Sequence, residues 1–369
     1  MANLQLGEAR KAKSDEFYTQ YHDIEKEMNA YLDFNSDVFK DKTLLLPCDD
    51  PEWSNFTKYF AQNFEKLQLK KLISTSYAPN SKVTNLIQQP TLFESESPIF
   101  DEDKSKANGR IFTLYRDKSG DKRIDYEDLE WQYLDGDGDF RSEEIRKLRD
   151  QSDIVITNPP FSLFREFLAW IVEADKKFVI IGNMNAITYK ETFPLIKANK
   201  LWLGQSISSG DREFRVPDSY PLESAGWRVD ETGQKYIRVK GVRWFTNIDH
   251  GRRHLPLPLM TESDNIKFSK HKEVKHLGYR KFVNFDAIEI PFTDAIPSDY
   301  EGLMGVPISF LDKYSPEQFE ILGSSSELAR PMTQIAEKGS YVQGGPSFYL
   351  DNGDGTYSRV YNRIVIRKK

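Results

Sequence analysis

The tetrapeptide Asn158-Pro159-Pro160-Phe161 carries groups that can act chemically on a planar amine. Two consecutive prolines fix two backbone angles and remove two N–H donors, so the loop is rigid and rich in carbonyl acceptors. The Asn158 side-chain oxygen and the Pro159 carbonyl can each accept one N–H of a nucleobase amine. Such bonds draw the nitrogen lone pair out of conjugation and make it more nucleophilic. Phe161 offers a flat face for a base, a contact worth roughly 1–3 kcal/mol.

The segments around the tetrapeptide decide between this interpretation and a stiff turn without function. Residues 153–157 are almost uniformly apolar, as in a strand buried on both faces of a parallel sheet, and 163–172 have helical spacing. Ligands gather at the carboxyl ends of strands in open α/β sheets. A loop directly after a buried strand is therefore expected to be a site.

The wider pattern predicts the elements that position this loop. Strands are expected at 43–47, 71–76, 153–157 and 177–182, and helices at 24–34, after Ser54, at 142–149 and at 163–172. This alternation predicts an open parallel α/β sheet with right-handed crossovers. Residues 79–128 lack any period and are expected to be an irregular insertion. The runs 213–216 and 236–245 are expected to form an antiparallel hairpin that finishes the sheet.

Length and composition predict two domains without metal or membrane association. A chain of 369 residues suits a catalytic domain at 1–250 and a smaller region at 251–369, where turns and prolines multiply. The single cysteine, Cys48, excludes an internal disulfide and a cysteine-rich metal site. The sequence shows neither an apolar span nor a secretory signal, so we expect a cytoplasmic protein.

Basic residues concentrate in one window although the net charge is −6. Residues 235–281 contain twelve Lys and Arg against four Asp and Glu. Such a run is either a solvated face or a phosphate-binding surface, and the interleaved aromatic residues favour nucleic acid. The candidate DNA-binding residues are Arg243, Arg252, Arg253, Lys270 and Lys272.

Further segments carry a resemblance to a known family. They are Phe17-Tyr18-Thr19, Pro47-Cys48-Asp49-Asp50-Pro51, Gly138-Asp139-Phe140, and the stretches 241–249 and 305–313. With the tetrapeptide, they make the chain similar over most of its length to the EcoRI-type DNA adenine methyltransferases. In their order the donor-binding segments come first and the recognition region last, as in the adenine-modifying branch.

The resemblance implies a fold and an activity. The fold is a Rossmann-like sheet that binds S-adenosylmethionine, with a smaller mixed C-terminal DNA-recognition domain. The activity is methyl transfer to the N6 amine of a flipped-out adenine in double-stranded DNA. The enzyme would act as a monomer and as the modification arm of a restriction–modification system, with a separately encoded endonuclease.

The resemblance also assigns residues to the methyl donor. Donor-binding positions are Phe17, Tyr18, Thr19, Cys48, Asp49, Asp50, Pro51, Asp139 and Phe140. The sequence departs from the common methyltransferase pattern at two places. The first loop lacks its glycines, and the second strand ends in Ser74-Thr75-Ser76-Tyr77 without the usual ribose-binding acid.

Several alternatives were weighed on the same residues. The loop can hold any planar amine, so an RNA or protein-glutamine methyltransferase is one rival, and a non-catalytic DNA-binding module is another. Calcium binding at residues 135–139 is disfavoured because an EF-hand loop needs glycine at the sixth position and Glu at the twelfth, where Phe140 and Arg146 stand.

Overall fold

The computed structural model describes residues 18–49, 54–78, 97–207, 211–216, 222 and 226–369. The chain divides into two compact units, one formed by residues 1–194 with 201–250 and the other by 195–200 with 251–369. Three predicted donor-binding residues, Phe17, Asp50 and Pro51, lie outside the described part of the chain.

The described elements alternate between helix and strand over residues 21–76 and 143–183, as the sequence pattern predicts. The helices up to residue 250 are α1 (Tyr21–Phe34), α2 (Asn55–Gln62), α3 (Glu102–Ala107), α4 (Glu143–Gln151), α5 (Phe164–Glu173) and α6 (Phe193–Lys197). The strands are β1 (Thr43–Leu46), β2 (Lys71–Ser76), β3 (Arg110–Leu114), β4 (Glu130–Tyr133), β5 (Ile154–Thr157), β6 (Lys177–Asn183), β7 (Trp202–Leu203), β8 (Asp211–Arg215), β9 (Trp227–Val229), β10 (Lys235–Lys240) and β11 (Val242–Thr246).

Eight of these strands form one large mixed sheet in the order β4-β3-β2-β1-β5-β6-β11-β7. The four central strands, β2, β1, β5 and β6, run parallel. Every residue of β1 and β5 is buried. The apolar runs in the sequence reflect this position, because a central parallel strand is covered by helices on both faces.

Both flanks of the sheet are antiparallel, whereas the sequence predicted a parallel sheet finished by one antiparallel hairpin. β3 and β4 pair antiparallel on one side, and β11 and β7 on the other. β3 lies within 79–128, so the description of that whole segment as an irregular insertion was wrong. Five residues give too short a run to reveal a period, and β3 is fixed by its pairing with β2.

The predicted hairpin of 213–216 and 236–245 also needed correction. β8 and β10 do pair antiparallel, but they form a separate three-stranded sheet with β9. Gly241, with φ of 69°, ends β10, and β11 enters the large sheet instead. One predicted β-run is thus two strands in two sheets, because a positive φ turns the chain between them.

The helices next to the site begin at side-chain caps. The Ser54 hydroxyl accepts a hydrogen bond from the amide of Phe56 at α2 (3.1 Å), and the Ser142 hydroxyl accepts from Ile145 at α4 (3.3 Å). Such caps satisfy backbone donors that have no partner within the helix. Helix α5 buries Phe164, Phe167, Leu168, Trp170 and Ile171, which lie three to four residues apart on one face.

The second unit contains short helices and a smaller mixed sheet. Its remaining described elements are α7 (Glu262–Phe268), α8 (Lys272–Leu277), α9 (Ser325–Leu328), β12 (Ile288–Glu289), β13 (Met304–Pro307), β14 (Phe319–Ser324), β15 (Tyr349–Asp351), β16 (Tyr357–Arg359) and β17 (Arg363–Lys368). The sheet order is β12-β13-β17-β14, and β15 and β16 form a separate hairpin. A stacked pair of Phe282 and Phe348, with ring centroids 4.5 Å apart, lies in its core.

Candidate active site

The direction in which successive strands are added to the large sheet reverses between β1 and β5. After β1 the chain continues to β2 on one side of β1. After β5 it continues to β6 on the opposite side. The loops that leave β1 and β5 therefore diverge and open a crevice at their carboxyl ends. Such a switch point is the usual ligand site of an open α/β sheet. The 158–161 loop follows β5 directly and lies at this edge.

The loop at residues 158–161 leads into a short helical turn. Pro159 is buried, and Asn158, Pro160 and Phe161 are partly exposed. A 3-10 turn at Phe161–Leu163 follows, in which the Pro160 carbonyl accepts a hydrogen bond from the Leu163 amide (2.9 Å). Helix α5 begins immediately afterwards. The Pro160 carbonyl thus helps to close the turn, which favours the Pro159 carbonyl as the acceptor for a substrate.

Phe161 has an aromatic neighbour that no pattern in the sequence predicted. Its ring meets Phe214 of β8 edge to face, with centroids 6.4 Å apart and planes inclined at 86°. Phe214 is buried in the core of the unit. An edge-to-face pair is worth about 0.5–1.5 kcal/mol beyond the buried area. The three-stranded sheet therefore packs against the loop at residues 158–161.

The predicted donor-binding residues Tyr18 and Thr19 lie beside α2. Tyr18 bridges to Arg215 of β8 through two backbone hydrogen bonds of 2.9 and 3.1 Å. The Asn55 side-chain amide donates to the Thr19 carbonyl (2.7 Å). Since Asn55 is the first residue of α2, this contact brings the amino-terminal segment to the loop between β1 and α2.

Cys48 and Asp49 lie in that loop, just after β1. Cys48 is partly exposed. Asp49 is 5% exposed, and its carboxylate accepts hydrogen bonds from the hydroxyls of Ser54 (2.7 Å) and Thr157 (2.5 Å). Thr157 directly precedes Asn158, so the loop after β1 and the loop after β5 are linked at the switch point.

The loop between β4 and α4 covers the carboxyl end of β2. The Ala78 amide donates to the Asp137 carbonyl (2.7 Å). Gly138 has φ of 83°, and a Cβ there would clash with the Ser76 carbonyl. Only glycine allows this close approach. The loop thereby carries Asp139 to the same edge of the sheet as the other predicted donor-binding residues.

Asp139 is held by a neighbouring arginine. The Arg141 guanidinium bonds both carboxylate oxygens of Asp139, with a closest distance of 2.6 Å, and also contacts Glu166 of α5 (3.2 Å). The Phe140 ring is 5% exposed and packs edge to face on Phe167 (5.0 Å). Phe140 therefore fastens the loop to α5 and leaves little surface for an adenine ring.

Two titratable groups at this edge are perturbed. Burial, together with the negative charges of Asp137 and Asp139, raises the pKa of the Tyr77 hydroxyl to about 12. Partial burial lowers the pKa of Lys58 on α2, as does the nearby charge of Arg215. Tyr77 is thus a neutral hydrogen-bond donor, and the α2 side of the site carries two cations.

The predicted DNA-binding residues fall into two groups. Arg243 and Arg253 are 4% and 6% exposed. Arg243 donates to the Val242 carbonyl (2.8 Å), and Arg253 donates to the Asn199 side chain (2.5 Å). These two arginines hold local structure and, as placed, do not present a phosphate-binding surface.

The other three predicted DNA-binding residues lie at the surface of the second unit. Arg252 is partly exposed, and Lys270 and Lys272 are exposed. Lys270 pairs with Asp294 (2.8 Å), and Lys272 opens α8. The basic window is therefore divided, since residues 235–243 belong to the first unit and 252–281 to the second.

The described residues contain neither a metal-binding cluster nor a membrane-spanning helix. No group of three or more His, Cys, Asp or Glu side chains there is arranged to hold a metal ion. None of the described helices has the length and apolarity needed to span a bilayer.

Comparison with known proteins identifies the family. The model of the family described as adenine-specific methyltransferase EcoRI matches residues 5–369. The chain belongs to this family. Its members M.EcoRI and M.MpnI are both named type II methyltransferases. The function predicted from the sequence is confirmed: the chain is an adenine-specific DNA methyltransferase.

The relatives cover nearly the whole chain. M.EcoRI of Escherichia coli is 43% identical over 320 residues, which span 87% of this chain and 89% of the relative. M.MpnI of Mycoplasma pneumoniae is 32% identical over 366 residues, which span 98% and 97%. A type II methyltransferase of Mycoplasma genitalium is 32% identical over 368 residues. No solved structure matches the chain significantly.

Four residues of the site were missed by the sequence analysis. Thr157 donates to Asp49, and Asn55 donates to the Thr19 carbonyl. Arg141 pairs with Asp139. Phe214 packs against Phe161. A hydroxyl at the end of the apolar run 154–157 was a usable signal for Thr157. Phe214 had none, because its pairing with Phe161 depends on how a separate sheet packs.

Proposed function

We propose that this chain transfers a methyl group from S-adenosylmethionine to the N6 amine of an adenine extruded from duplex DNA. It acts as the modification arm of a type II restriction–modification system, with a separately encoded endonuclease. The observation that carries the proposal is the acceptor-rich loop 158–161 at the carboxyl end of β5, linked through Thr157 to the loop after β1. Methyl donor and amine then meet across the switch point.

The groups at the sheet edge fit such a donor. Thr19, Cys48 and Asp139 come from three separate segments, which hydrogen bonds bring to the ends of β1 and β2. Phe17, Tyr18, Asp50 and Pro51 complete the proposed donor set. β2 ends in Ser76 and Tyr77 without an acid, so the ribose contact must come from elsewhere. When bound, S-adenosylmethionine would supply an electrophilic methyl group attached to a sulfonium. The sulfonium becomes a neutral thioether when the methyl group is transferred.

The chain's own contribution is to hold and polarise the amine. The Asn158 side-chain oxygen and the Pro159 carbonyl accept the two N–H groups, which turns the nitrogen lone pair toward the methyl group. Preorganised acceptors of this kind need no rearrangement during the reaction. Phe161 stacks on the extruded base, and Phe214 supports that ring from behind. The amine loses its extra proton to water after transfer.

The second unit supplies contacts to the DNA backbone in this proposal. Arg252, Lys270 and Lys272 are its exposed or partly exposed basic residues from the candidate set. Extruding a base costs a few kcal/mol, which phosphate contacts and stacking must offset. We propose that the enzyme acts as a monomer in the cytoplasm, where its substrate lies.

Labelling identifies the acceptor directly. The protein is incubated with S-adenosylmethionine carrying a labelled methyl group and with plasmid DNA, and the DNA is then digested to nucleosides. We expect the label in N6-methyladenine. Parallel incubations with RNA and with a protein mixture serve as comparisons. Label in RNA or protein, with none in adenine from diverse DNA, would reject the proposal.

A further inference from the structure

Asp49 is a buried carboxylate beside the 158–161 loop, to which it is linked through Thr157. Its Oδ1 accepts a hydrogen bond from the Ser54 hydroxyl (2.7 Å), and its Oδ2 accepts one from the Thr157 hydroxyl (2.5 Å). An ionised carboxylate can only accept, so both hydroxyls donate to it. The side chain is 5% exposed. Both oxygens are thus used inside the protein.

The backbone of Asp49 adds contacts to two more segments. Its amide donates to the Thr75 carbonyl of β2 (3.0 Å), and its carbonyl accepts from the hydroxyls of Thr57 on α2 (3.3 Å) and Ser74 on β2. The Thr57 and Ser74 hydroxyls also contact each other (2.9 Å). One residue therefore joins the end of β1 to β2, to β5 and to the start of α2.

The contact with Thr157 gives this network a consequence for catalysis. Thr157 is the last residue of β5, is fully buried, and precedes Asn158. Any shift of Thr157 moves the acceptors of the 158–161 loop relative to the loop after β1. Hydrogen bonds to a charged group are stronger than neutral ones, so this contact is suited to fix that distance.

We propose that Asp49 is a positioning residue, which acts on methyl transfer through Thr157 and Asn158 and not by touching the donor. The inference rests on the proposed role of Asn158 as the amine acceptor. It revises the role of donor ligand that the family resemblance implied for Asp49. Methyl transfer needs the nitrogen, methyl carbon and sulfur in line, and a misplacement of 1 Å can cost about 10²-fold in rate.

Variants of Thr157 test the proposal without altering Asp49 itself. Thr157→Val keeps the shape of the side chain and removes the hydroxyl, whereas Thr157→Ser keeps the hydroxyl. The single-turnover rate of transfer to duplex DNA is measured at saturating donor, and the donor Kd is measured separately by calorimetry. We expect Thr157→Val to slow transfer about tenfold or more, with the donor Kd changed less than about threefold. Thr157→Ser should restore most of the rate.

Thr192→Val is the matched control. Thr192 is equally buried, and its hydroxyl has no hydrogen-bond partner among the described residues, so this variant should transfer at the wild-type rate. Asp49→Asn completes a double-mutant cycle with Thr157→Val. If the two residues act through one contact, the double variant should be about as slow as the slower single variant.

The outcomes separate the two roles of Asp49. A wild-type rate in Thr157→Val, or additive losses in the cycle, would overturn the proposal. So would a large loss of donor affinity in Asp49→Asn with little effect of Thr157→Val, because that pattern describes a direct donor ligand. An inactive wild-type protein would instead reject the proposed function, together with the inference that rests on it, before any variant is compared.

Discussion

The ring of Phe164 occupies the space that a side chain at Gly182 would need. Phe164 is the first residue of α5, and Gly182 lies near the end of β6. A Cβ on Gly182 would come within 2.4 Å of the Phe164 ring. The ring is 2% exposed and also packs on Phe245, with centroids 5.0 Å apart. The helix that follows the 158–161 loop is therefore anchored by a close approach that only glycine permits.

Gly182→Ala should destabilise the first unit and loosen the catalytic loop. The Phe164 ring is buried and packs on Phe245, so the added methyl group must displace a packed side chain, and overpacking of this kind costs about 1–3 kcal/mol. Urea denaturation measures the change, and a transfer assay below the transition measures activity. Gly345→Ala is the control, because it adds the same methyl group at a glycine without a positive φ, where no atom lies within 4 Å of the added Cβ. Unchanged stability in Gly182→Ala would contradict the described packing.

Asn158→Ala should abolish transfer while DNA binding stays intact. The variant removes one of the two acceptors that polarise the amine, and loss of one preorganised polar group at a reacting centre costs about 10²–10³-fold in rate. Transfer is followed with labelled donor, and DNA affinity by fluorescence anisotropy. Asn185→Ala, at an exposed position after β6, is the control. A variant that methylates at the wild-type rate would remove Asn158 from the mechanism.

Phe214→Leu should weaken capture of the extruded base. Leucine keeps most of the buried volume, but it removes the ring edge against Phe161, a contact worth about 0.5–1.5 kcal/mol. We expect a fall in transfer rate of about threefold to tenfold, from the same energy. A duplex with 2-aminopurine at the target position should show a smaller fluorescence increase on binding. Equal fluorescence and rate would mean that Phe161 needs no support from β8.

Lys270→Ala and Lys272→Ala should weaken DNA binding uniformly across sequences. Each removed phosphate contact should reduce the slope of log affinity against log salt by about 0.9. Affinity is measured at several salt concentrations on two unrelated duplexes. Lys66→Ala makes the same charge change at an exposed position of the first unit, outside the basic window. If Lys66→Ala lowers the slope of log affinity against log salt by the same amount, the change reflects net charge alone. Lys270 and Lys272 then have no specific role in DNA binding.

Asp128 should govern stability at acidic pH. Burial opposes its ionisation, but amide donors from Ser119, Asp125 and Lys118 outweigh burial and lower its pKa to about 2. Because the folded pKa lies below the ordinary value of 3.8, the stabilisation is present above about pH 4 and is lost as the pH falls toward 2.

Asp128→Asn should therefore lower stability at neutral pH and flatten its loss between pH 5 and about 2. Urea unfolding at several pH values measures both effects. Asp33→Asn, at an exposed position of α1, gives the comparison for a charge change alone. If the free energy of unfolding falls with pH equally in Asp128→Asn and in the wild type, the amide hydrogen bonds to Asp128 do not cause the loss of stability at acidic pH.

The sequence by itself determined most of the local elements and predicted the chemistry of one loop. Strand 71–76 was predicted with the bounds of β2, and Ser54 was recognised as the cap of α2. Helical and strand periods, caps and prolines act through neighbours along the chain, so they can be read without a structure. The placement of 158–161 after a buried strand followed from the same local pattern.

Only the tertiary structure decided which distant residues meet. It added β3 to the sheet, separated β10 from β11, buried Arg243 and Arg253, and placed Phe214 against Phe161. It also linked Asp49 to Thr157, 108 residues away along the chain. These contacts depend on strand pairing and on side-chain shape across the core. No period along the sequence encodes them, because each arises only when separate segments pack together.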